Sequence, residues 1–387
     1  MNSSKHHLVI FTTMHPVGDV RVWRKIATSF IDRGWRITWI GPERTDFPVV
    51  QDDGGVSFKL AITPRSRMGR LIAIPRLLRM LASTPNVDAI YCPEPDSALL
   101  ALPFTKVKGA RLIFDIHENY HDSALRRWVP PTAVRPLAAI LKFLIAKIAG
   151  LADFAIAVNT DIADAYSTRS KRPIILRNLA PTSFGKEPKF SPPARDGLNN
   201  FRVFHGKAAE ENGTRTLLEA WSLLRDHPEI KLVLIPRLAD SKTDLMPTLR
   251  QEIENLGISD NVELLPALSH SEMPALLDSM NIGLIAYQRD LGYDSLPNRF
   301  FEYMARGLAT LTPSYSHYLE EITAATRCGI SVDMEDPDQI AQSLVSLSVS
   351  PETVQTMGQN GQKAFLSNYS WETEFEAFYK LLVDGPR

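Results

Sequence analysis

The sequence predicts an α/β protein made of two doubly wound domains, and three observations carry that prediction. Short apolar, β-branched-rich runs alternate with helical stretches, the pattern of parallel strands joined by crossover helices. One proline-rich stretch, Asn178 to Asn200, breaks the alternation and separates two such series. The chain, at 387 residues, is long for one α/β domain and sufficient for two, each with its own core. Along the first half, His7 to Thr12 reads as a strand and Val20 to Arg33 as a helix that stops at Gly34. Strands follow at Arg36 to Ile40, Ala89 to Tyr91, Leu112 to Asp115 and Phe154 to Val158. The second series reads Phe201 to Phe204, Lys231 to Ile235, Val262 to Leu265 and Ile282 to Ile285. There is no tandem repeat, no GxGxxG fingerprint, no P-loop lysine pattern and no nucleic-acid-binding motif.

Composition narrows the class. Apolar residues are 44% and charged residues 22%, the mix of a globular domain rather than a disordered chain. The net charge of −1 hides an asymmetry: residues 1–180 hold 25 Lys+Arg against 15 Asp+Glu, and residues 181–387 hold 18 against 29. A basic first half suits an anionic partner, or simply a basic surface that attracts the acidic half. The only two cysteines, Cys92 and Cys328, form neither a disulfide framework nor a metal knuckle, so a cytoplasmic setting is expected. Pro136 to Val158 is apolar but interrupted by Lys142, Lys147 and Asp153. A charge near a bilayer centre costs roughly 2.5–3.5 kcal/mol, so this stretch reads as a helix followed by a buried strand.

The residues richest in chemistry are Tyr293-Asp-Ser-Leu-Pro-Asn-Arg-Phe-Phe-Glu-Tyr-Met-Ala-Arg-Gly307. Pro297 belongs in the first turn of a helix, with Ser295 or Asp294 as its N-cap and Gly307 at its end. Open amides at such a helix start, together with its dipole, favour a diphosphate. Leu296, Asn298 and Arg299 lie at this start. Glu302, inside the helix, can accept two hydrogen bonds from a ribose diol, as acidic residues do in other nucleotide sites. Asp294 can accept from sugar hydroxyls. The plainer alternative is that Asp294 caps a helix and Glu302 is a solvated helix residue. Asp333 to Asp338 is acidic, yet Pro337 before a polar helix marks a capped loop. No strand-end Asp-x-Asp and no His/Cys cluster has metal-ligand spacing, so no metal is called for.

The segment resembles the donor-binding motif of family 4 retaining glycosyltransferases, in which two acidic residues separated by seven positions run into an EYMAxG helix. Glu302 to Gly307 matches its second half, and Asp294 stands where the family usually has Glu. The resemblance covers nearly the whole chain. Asp115-Ile-His-Glu118 resembles a strand-end motif whose His faces the transferred sugar, which marks His117, although a His after a strand is often structural. His15-Pro-Val-Gly-Asp-Val-Arg21 resembles the first loop of a subgroup with DxR there; Gly18 is its single glycine where many relatives have a pair. Gly206 and Lys207 fall where relatives begin a pair of basic residues that clasp the donor diphosphate, and Asn212 replaces the second. Arg237 or Arg299 can compensate. Ser269 to Met273 resembles a turn that brackets the base.

What the resemblance implies is the GT-B arrangement: two Rossmann-like domains facing each other across a cleft, residues 1–180 on the acceptor side and 201–365 on the nucleotide-sugar side. Residues 181–200 are the linker, and 366–387 form a helix returning to the first domain. It implies a metal-independent transfer, with retention, from a nucleotide-sugar donor to a lipid-linked or growing polysaccharide acceptor. Catalytic parts fall to His117, Asp294 and Lys207, and donor binding to Gly18, Gly206, Lys207, Arg237, Leu296, Asn298, Arg299 and Glu302. No other cofactor and no nucleic acid is expected. Arg65 to Arg79, Arg126 to Pro131 and the Leu137–Ile148 helix combine basic and apolar residues, which suits contact with an anionic inner leaflet as well as ordinary packing on a sheet. A sugar-nucleotide epimerase of the same fold and a non-catalytic nucleotide-sugar binder are the rival readings.

Overall fold

The computed structural model describes residues 6–43, 56–62, 67–117, 120, 131–185, 200–236, 245–268, 271–292 and 295–385. Two compact units result: Met1–Asn178 with Glu374–Arg387, and Leu179–Thr373.

Among the described residues the first unit holds seven strands: β1 His7–Phe11, β2 Arg36–Glu43, β3 Val56–Ile62, β4 Ala89–Cys92, β5 Arg111–Ile116, β6 Phe154–Ala157 and β7 Ile174–Ile175. They lie in the order β3-β2-β1-β4-β5-β6-β7, every pair parallel. The second unit holds β8 Phe201–Ala208, β9 Ile230–Pro236, β10 Val262–Leu264, β11 Ile282–Leu284, β12 Ala309–Pro313 and β13 Gly329–Val332. Their order, β10-β9-β8-β11-β12-β13, repeats the same winding, again all parallel. Both units are Rossmann-like, the fold class expected. Helices cover both faces of such sheets, which is why β1 and β4 are buried at every position and read as continuous apolar runs. Each sheet reverses its winding once, between β1 and β4 and between β8 and β11, and the crevice for a ligand opens there at the carboxyl ends of the strands.

Several bounds differ from the sequence reading, for local reasons. β2 continues past Ile40 to Glu43 despite Pro42, because its pairing with β1 ends at Ile40 while β3 continues alongside to Glu43. The expected helix from Val20 begins instead as a π-type turn over Val22–Ala27 before Thr28–Ile31. Asp19 explains the start: its carboxylate accepts from the N–H groups of Arg21 and Val22, both at 2.9 Å. Gly34 ends this segment at φ 78° as expected. β3, β7, β12 and β13 went unread in the sequence. β3 and β13 are edge strands, β3 with Ser57 exposed and β13 half-buried throughout, and β12 buries Thr310 and Thr312, whose hydroxyls bond Cys328 and Ser331. Inside the expected linker, Thr182–Gly185 forms a helical turn; residues 186–199 lie outside the described residues.

The apolar stretch after Pro136 divides as expected into a helix, Pro131–Leu151, and β6. Ile145, Ile148 and Ala149 pack into the core, while Ile140, Phe143 and Leu144 are 50–60% exposed. Among the described residues no helix is long and apolar enough to cross a membrane. The last helix, Trp371–Asp384, returns to the first unit from Glu374 onward. Phe375 packs edge-on to Phe30 with centroids 5.4 Å apart, the Trp35 indole donates to the Tyr379 hydroxyl at 3.0 Å, and the Arg33 guanidinium lies 4.9 Å over both Phe375 and Tyr379. Both cysteines are buried and free.

Candidate active site

In the first unit the site is built on three adjacent strand ends. β4 runs into Glu94, the N-cap of the helix Pro95–Lys108, where Ser97 completes a capping box. The Glu94 carboxylate is 1% exposed and turns toward the loop after β1. It accepts from the Thr12 hydroxyl, from the N–H groups of Met14 and His15 at 3.1 Å each, and from His15 Nδ1 at 2.7 Å. One buried carboxylate therefore fixes the start of the loop, from Thr12 to His15. Burial opposes its ionisation, but the hydrogen bond and charge of His15 hold it down at about 2. Burial also opposes a charge on His15, and the Glu94 carboxylate outweighs it, so the imidazole is more basic than an ordinary histidine.

A second buried pair lies beside it. Arg21 Nε and Nη2 meet the two carboxylate oxygens of Asp115 at 2.7 and 2.9 Å, and the Tyr91 hydroxyl donates to the same carboxylate. Arg21 Nη2 also reaches Leu176 O at 3.0 Å, tying the loop after β7 to the pair. Asp115 is fully buried; burial opposes its charge, and Arg21 holds it below the usual carboxylate range. The DxR and DxH motifs of the sequence thus meet as Arg21 on Asp115, which positions His117 two residues beyond. The His117 ring is half-buried and stands edge-on to His15 at 5.1 Å and to Tyr120 at 6.1 Å. Gly18 adopts φ 101° with open space around it, so its backbone conformation alone requires glycine. Glu118 lies outside the described residues.

In the second unit β8 ends on Gly206, Lys207 and Ala208 with a bulge. Gly206 lies between the Phe204 ring and the Arg299 guanidinium, and Arg299 Nη1 donates to Gly206 O. Lys207 is held at φ 61°, a conformation costly outside glycine, and Asn212 Nδ2 clamps its carbonyl at 2.6 Å. Asn212, read in the sequence only as a missing cation, shapes the backbone under Lys207, whose residue is exposed. The following Gly213, at φ 73°, touches β11's extension so closely that a Cβ would lie 1.9 Å from Ala286 O. His205 is buried inside β8, its Nδ1 3.4 Å from Leu284 O; burial and the Arg299 charge push it down to about 3, so it is a neutral imidazole.

The helix expected after Pro297 spans Asn298–Ala305. Pro297 is itself the N-cap, in extended conformation at ψ 138°, so the cap position expected at Ser295 or Asp294 falls on Pro297. Phe300, Phe301, Tyr303 and Met304 are buried, leaving Leu296, Asn298, Arg299 and Glu302 half-buried around the helix start. Asn298 Nδ2 donates to Glu302 Oε1, an i,i+4 contact that orients the carboxylate. Arg306 is committed elsewhere, to Asp278 and Phe184 O. The structure thus brings Gly206, Arg299, Asn298 and Glu302 into one neighbourhood through the Arg299–Gly206 bond. Asp294, Arg237 and the turn residues Ser269 and His270 lie outside the described residues. Among the described residues no group of three or more His, Cys, Asp or Glu is placed to hold a metal ion. The acidic loop before Pro337 is capped as expected, by Asp336 accepting from Asp338 and Gln339 N–H.

Sequence reasoning missed Glu94, His15 and His205. Glu94 lies 79 residues from His15, and only its place after a buried strand and before a proline hinted at a cap.

With this geometry in hand, known proteins give the affiliation. "Glycosyl transferase 4-like domain" matches residues 18–174 and "Glycosyl transferases group 1" matches residues 186–364. The chain is a GT-B-fold relative of the group 1 and 4-like glycosyltransferases. Anabaena HepE, solved in complex with UDP, superposes with a TM-score of 0.73 at 14% identity, covering 98% of this chain and 100% of that one. Sucrose-phosphate synthase from Thermosynechococcus elongatus gives 0.72 at 13% identity, covering 99% and 100%. At such identities the likeness speaks for the fold. In sequence, the MMP α-(1→4)-mannosyltransferase of Mycolicibacterium hassiacum is 28% identical over 161 residues, 42% of this chain and 37% of that protein. Spore coat protein SA of Bacillus subtilis is 23% identical over 181 residues, 46% and 47%. The matched stretches thus span less than half of these curated relatives.

The Arg21–Asp115 pair yields a stability prediction. Arg21→Ala leaves a fully buried carboxylate without its bidentate partner, and urea unfolding should show a loss of about 3–5 kcal/mol. A loss under about 1 kcal/mol, typical of an exposed pair, would refute the buried-pair assignment.

Proposed function

We propose that this chain is a retaining glycosyltransferase moving a sugar from a nucleoside diphosphate-sugar to a hydroxyl acceptor. The observation that supports it most is the start of the helix Asn298–Ala305 beside Gly206 and Arg299, with Glu302 on an accessible face of the same helix. Helix amides, the Arg299 guanidinium and the Lys207 ammonium together suit a diphosphate, and Glu302 suits a ribose diol. Anabaena HepE, solved with UDP and with UDP-glucose, supports a ligand of this class.

In this reading residues 201–365 hold the donor and residues 1–180 the acceptor. The helix start and the two cations absorb the charge that grows on the departing diphosphate, without a metal. His117 and Asp294 meet the transferred sugar. The acceptor hydroxyl attacks the anomeric carbon as its bond to the diphosphate breaks. The departing phosphate oxygen takes the hydroxyl proton on the same face, so configuration is retained and no side-chain base is needed.

The acceptor is a lipid-linked or growing polysaccharide glycan, reached from the cytoplasmic face of the membrane. Ile140, Phe143 and Leu144 form an exposed apolar stripe on the helix Pro131–Leu151, with the Lys147 ammonium 5.3 Å over the Phe143 ring. An amphipathic face of this kind, in the basic half of the chain, suits an anionic leaflet.

Three outcomes follow. Glu302→Ala should weaken binding of the matching nucleoside diphosphate by about 1.5–3 kcal/mol in calorimetry, the cost of lost hydrogen bonds to a charged acceptor; unchanged affinity removes Glu302 from the nucleotide site. Turnover with the best donor of a nucleotide-sugar panel should survive EDTA, whereas loss that a divalent ion restores contradicts a metal-free site. Phe143→Asp should abolish co-sedimentation with vesicles rich in anionic lipid while leaving thermal stability near the parent's; equal binding by parent and variant rules this face out.

A further inference from the structure

Two acids at the start of the helix Pro95–Lys108 grip two successive threonines of the loop after β1, one from inside and one from the surface. Glu94, 1% exposed, accepts from the Thr12 hydroxyl with one oxygen and from the Thr13 N–H with the other. Asp96 accepts from the Thr13 hydroxyl at 2.7 Å, and its side chain is 44% exposed. Its Oδ2 takes that bond and a second from Arg70 Nη2 at 2.9 Å, while Oδ1 accepts no hydrogen bond among the described residues.

Arg70 lies on the helix Arg67–Ala82. Its Nη2 also donates to the Thr13 hydroxyl at 2.8 Å, and its Nη1 to the Met14 sulfur at 3.4 Å. Of the guanidinium's N–H donors, Nε–H and one on Nη1 stay without a partner among the described residues, on a side chain 30% exposed. Met14 is itself 44% exposed and adds an apolar surface beside the pair. An ion pair this open contributes little to stability. Yet it joins the β1 loop to two helices beside the point where the winding of the sheet reverses, the place where such sheets bind ligands.

We propose that Asp96 and Arg70 form a subsite for a neutral acceptor sugar: Asp96 Oδ1 accepts from, and Arg70 donates to, adjacent hydroxyls of its terminal ring. The proposal rests on the reading of the first unit as the acceptor side. Each sugar hydroxyl both donates and accepts, so a diol answers a carboxylate and a guanidinium together. The C–H face of the ring meets the Met14 thioether. An anionic ligand gains little here, because Asp96 already neutralises Arg70 and repels a second negative charge. The pair therefore selects against phosphorylated sugars and uronic acids, by repulsion as much as by attraction.

The test is ligand-observed NMR titration of the full chain, without donor, using methyl glycosides of neutral hexoses and their uronic-acid and phosphorylated counterparts. The parent should bind at least one neutral glycoside and prefer it to the anionic ones. Asp96→Asn can keep its carbonyl oxygen on Thr13 and Arg70 while turning the free acceptor into a donor. It should weaken the neutral glycoside by about tenfold or more, the cost of a lost hydrogen bond to a charged group, and shrink the preference against anions. Arg70→Lys keeps the charge but loses the planar fork, so it should bind the neutral glycoside more weakly than the parent. With the best donor of a nucleotide-sugar panel, both variants should raise the acceptor KM and leave the donor KM and melting temperature near the parent's. A pair that merely braces the loop would instead shift melting temperature and both KM values together, without changing the preference between neutral and anionic glycosides. That result overturns the proposal, as do equal affinities in parent and Asp96→Asn, tighter binding of anionic glycosides by the parent, or no glycoside bound at all. Binding as expected without turnover on any nucleotide sugar keeps the subsite and counts against the transferase reading. Turnover with an unchanged acceptor KM in Asp96→Asn removes the subsite and leaves the transferase reading intact.

Discussion

Parallel strands cannot be joined by tight turns, and this constraint organises both units. Each strand must hand over to a helix that crosses back, so every loop carrying chemistry leaves from a carboxyl end of the sheet. Where the winding reverses, neighbouring loops diverge to opposite faces and open a crevice. In the first unit the loops after β1 and β4 flank that point, and they hold His15 and Glu94. In the second unit β8 and β11 flank it, and they hold Gly206 with Lys207 and the segment leading to the helix Asn298–Ala305. Both halves use one geometric opportunity with different residues.

How the two halves manage charge also differs. The first unit buries two carboxylates and gives each a cation: Arg21 for Asp115 and His15 for Glu94. Buried pairs of this kind do little for net stability but are costly to break, and each spans strands distant in sequence, which fixes loops to a rigid sheet. The second unit instead uses backbone. Lys207 sits in a left-handed conformation stabilised by Asn212, and Gly213 admits Ala286 O where a Cβ cannot fit. Strain and close approach of this sort accompany sites where the main chain itself meets a ligand.

The replacement of an expected cation by Asn212 looks from sequence alone like a weakened site. In the fold the same residue supports the neighbouring lysine's carbonyl, and Arg299 brings its guanidinium to Gly206 from the facing helix. That guanidinium reaches the end of β8 from 93 residues further along the chain. Residue roles in such sites cannot be assigned position by position, because a strand end and a helix start contribute to one surface.

Composition and periodicity alone determined the two-part α/β architecture, since a strand buried on both faces must be continuously apolar and its crossover helix amphipathic. They also marked β8 to β11 and the helix carrying Glu302, whereas the returning final helix was implied by the family resemblance. Edge strands such as β3 and β13 escaped, because Ser57 and Lys59 interrupt the one and Gly329 and Ser331 the other, which dilutes the apolar signal. The resemblance in motif made His117, Gly206 and Glu302 visible. Only the tertiary structure decided that Pro297 caps its own helix, that Arg21 grips Asp115, and that Glu94 grips His15. Those contacts join residues 79 to 94 positions apart. Spacing along a chain encodes which face of a helix or strand a residue shares, whereas pairing across strands depends on sheet order, which no local pattern records.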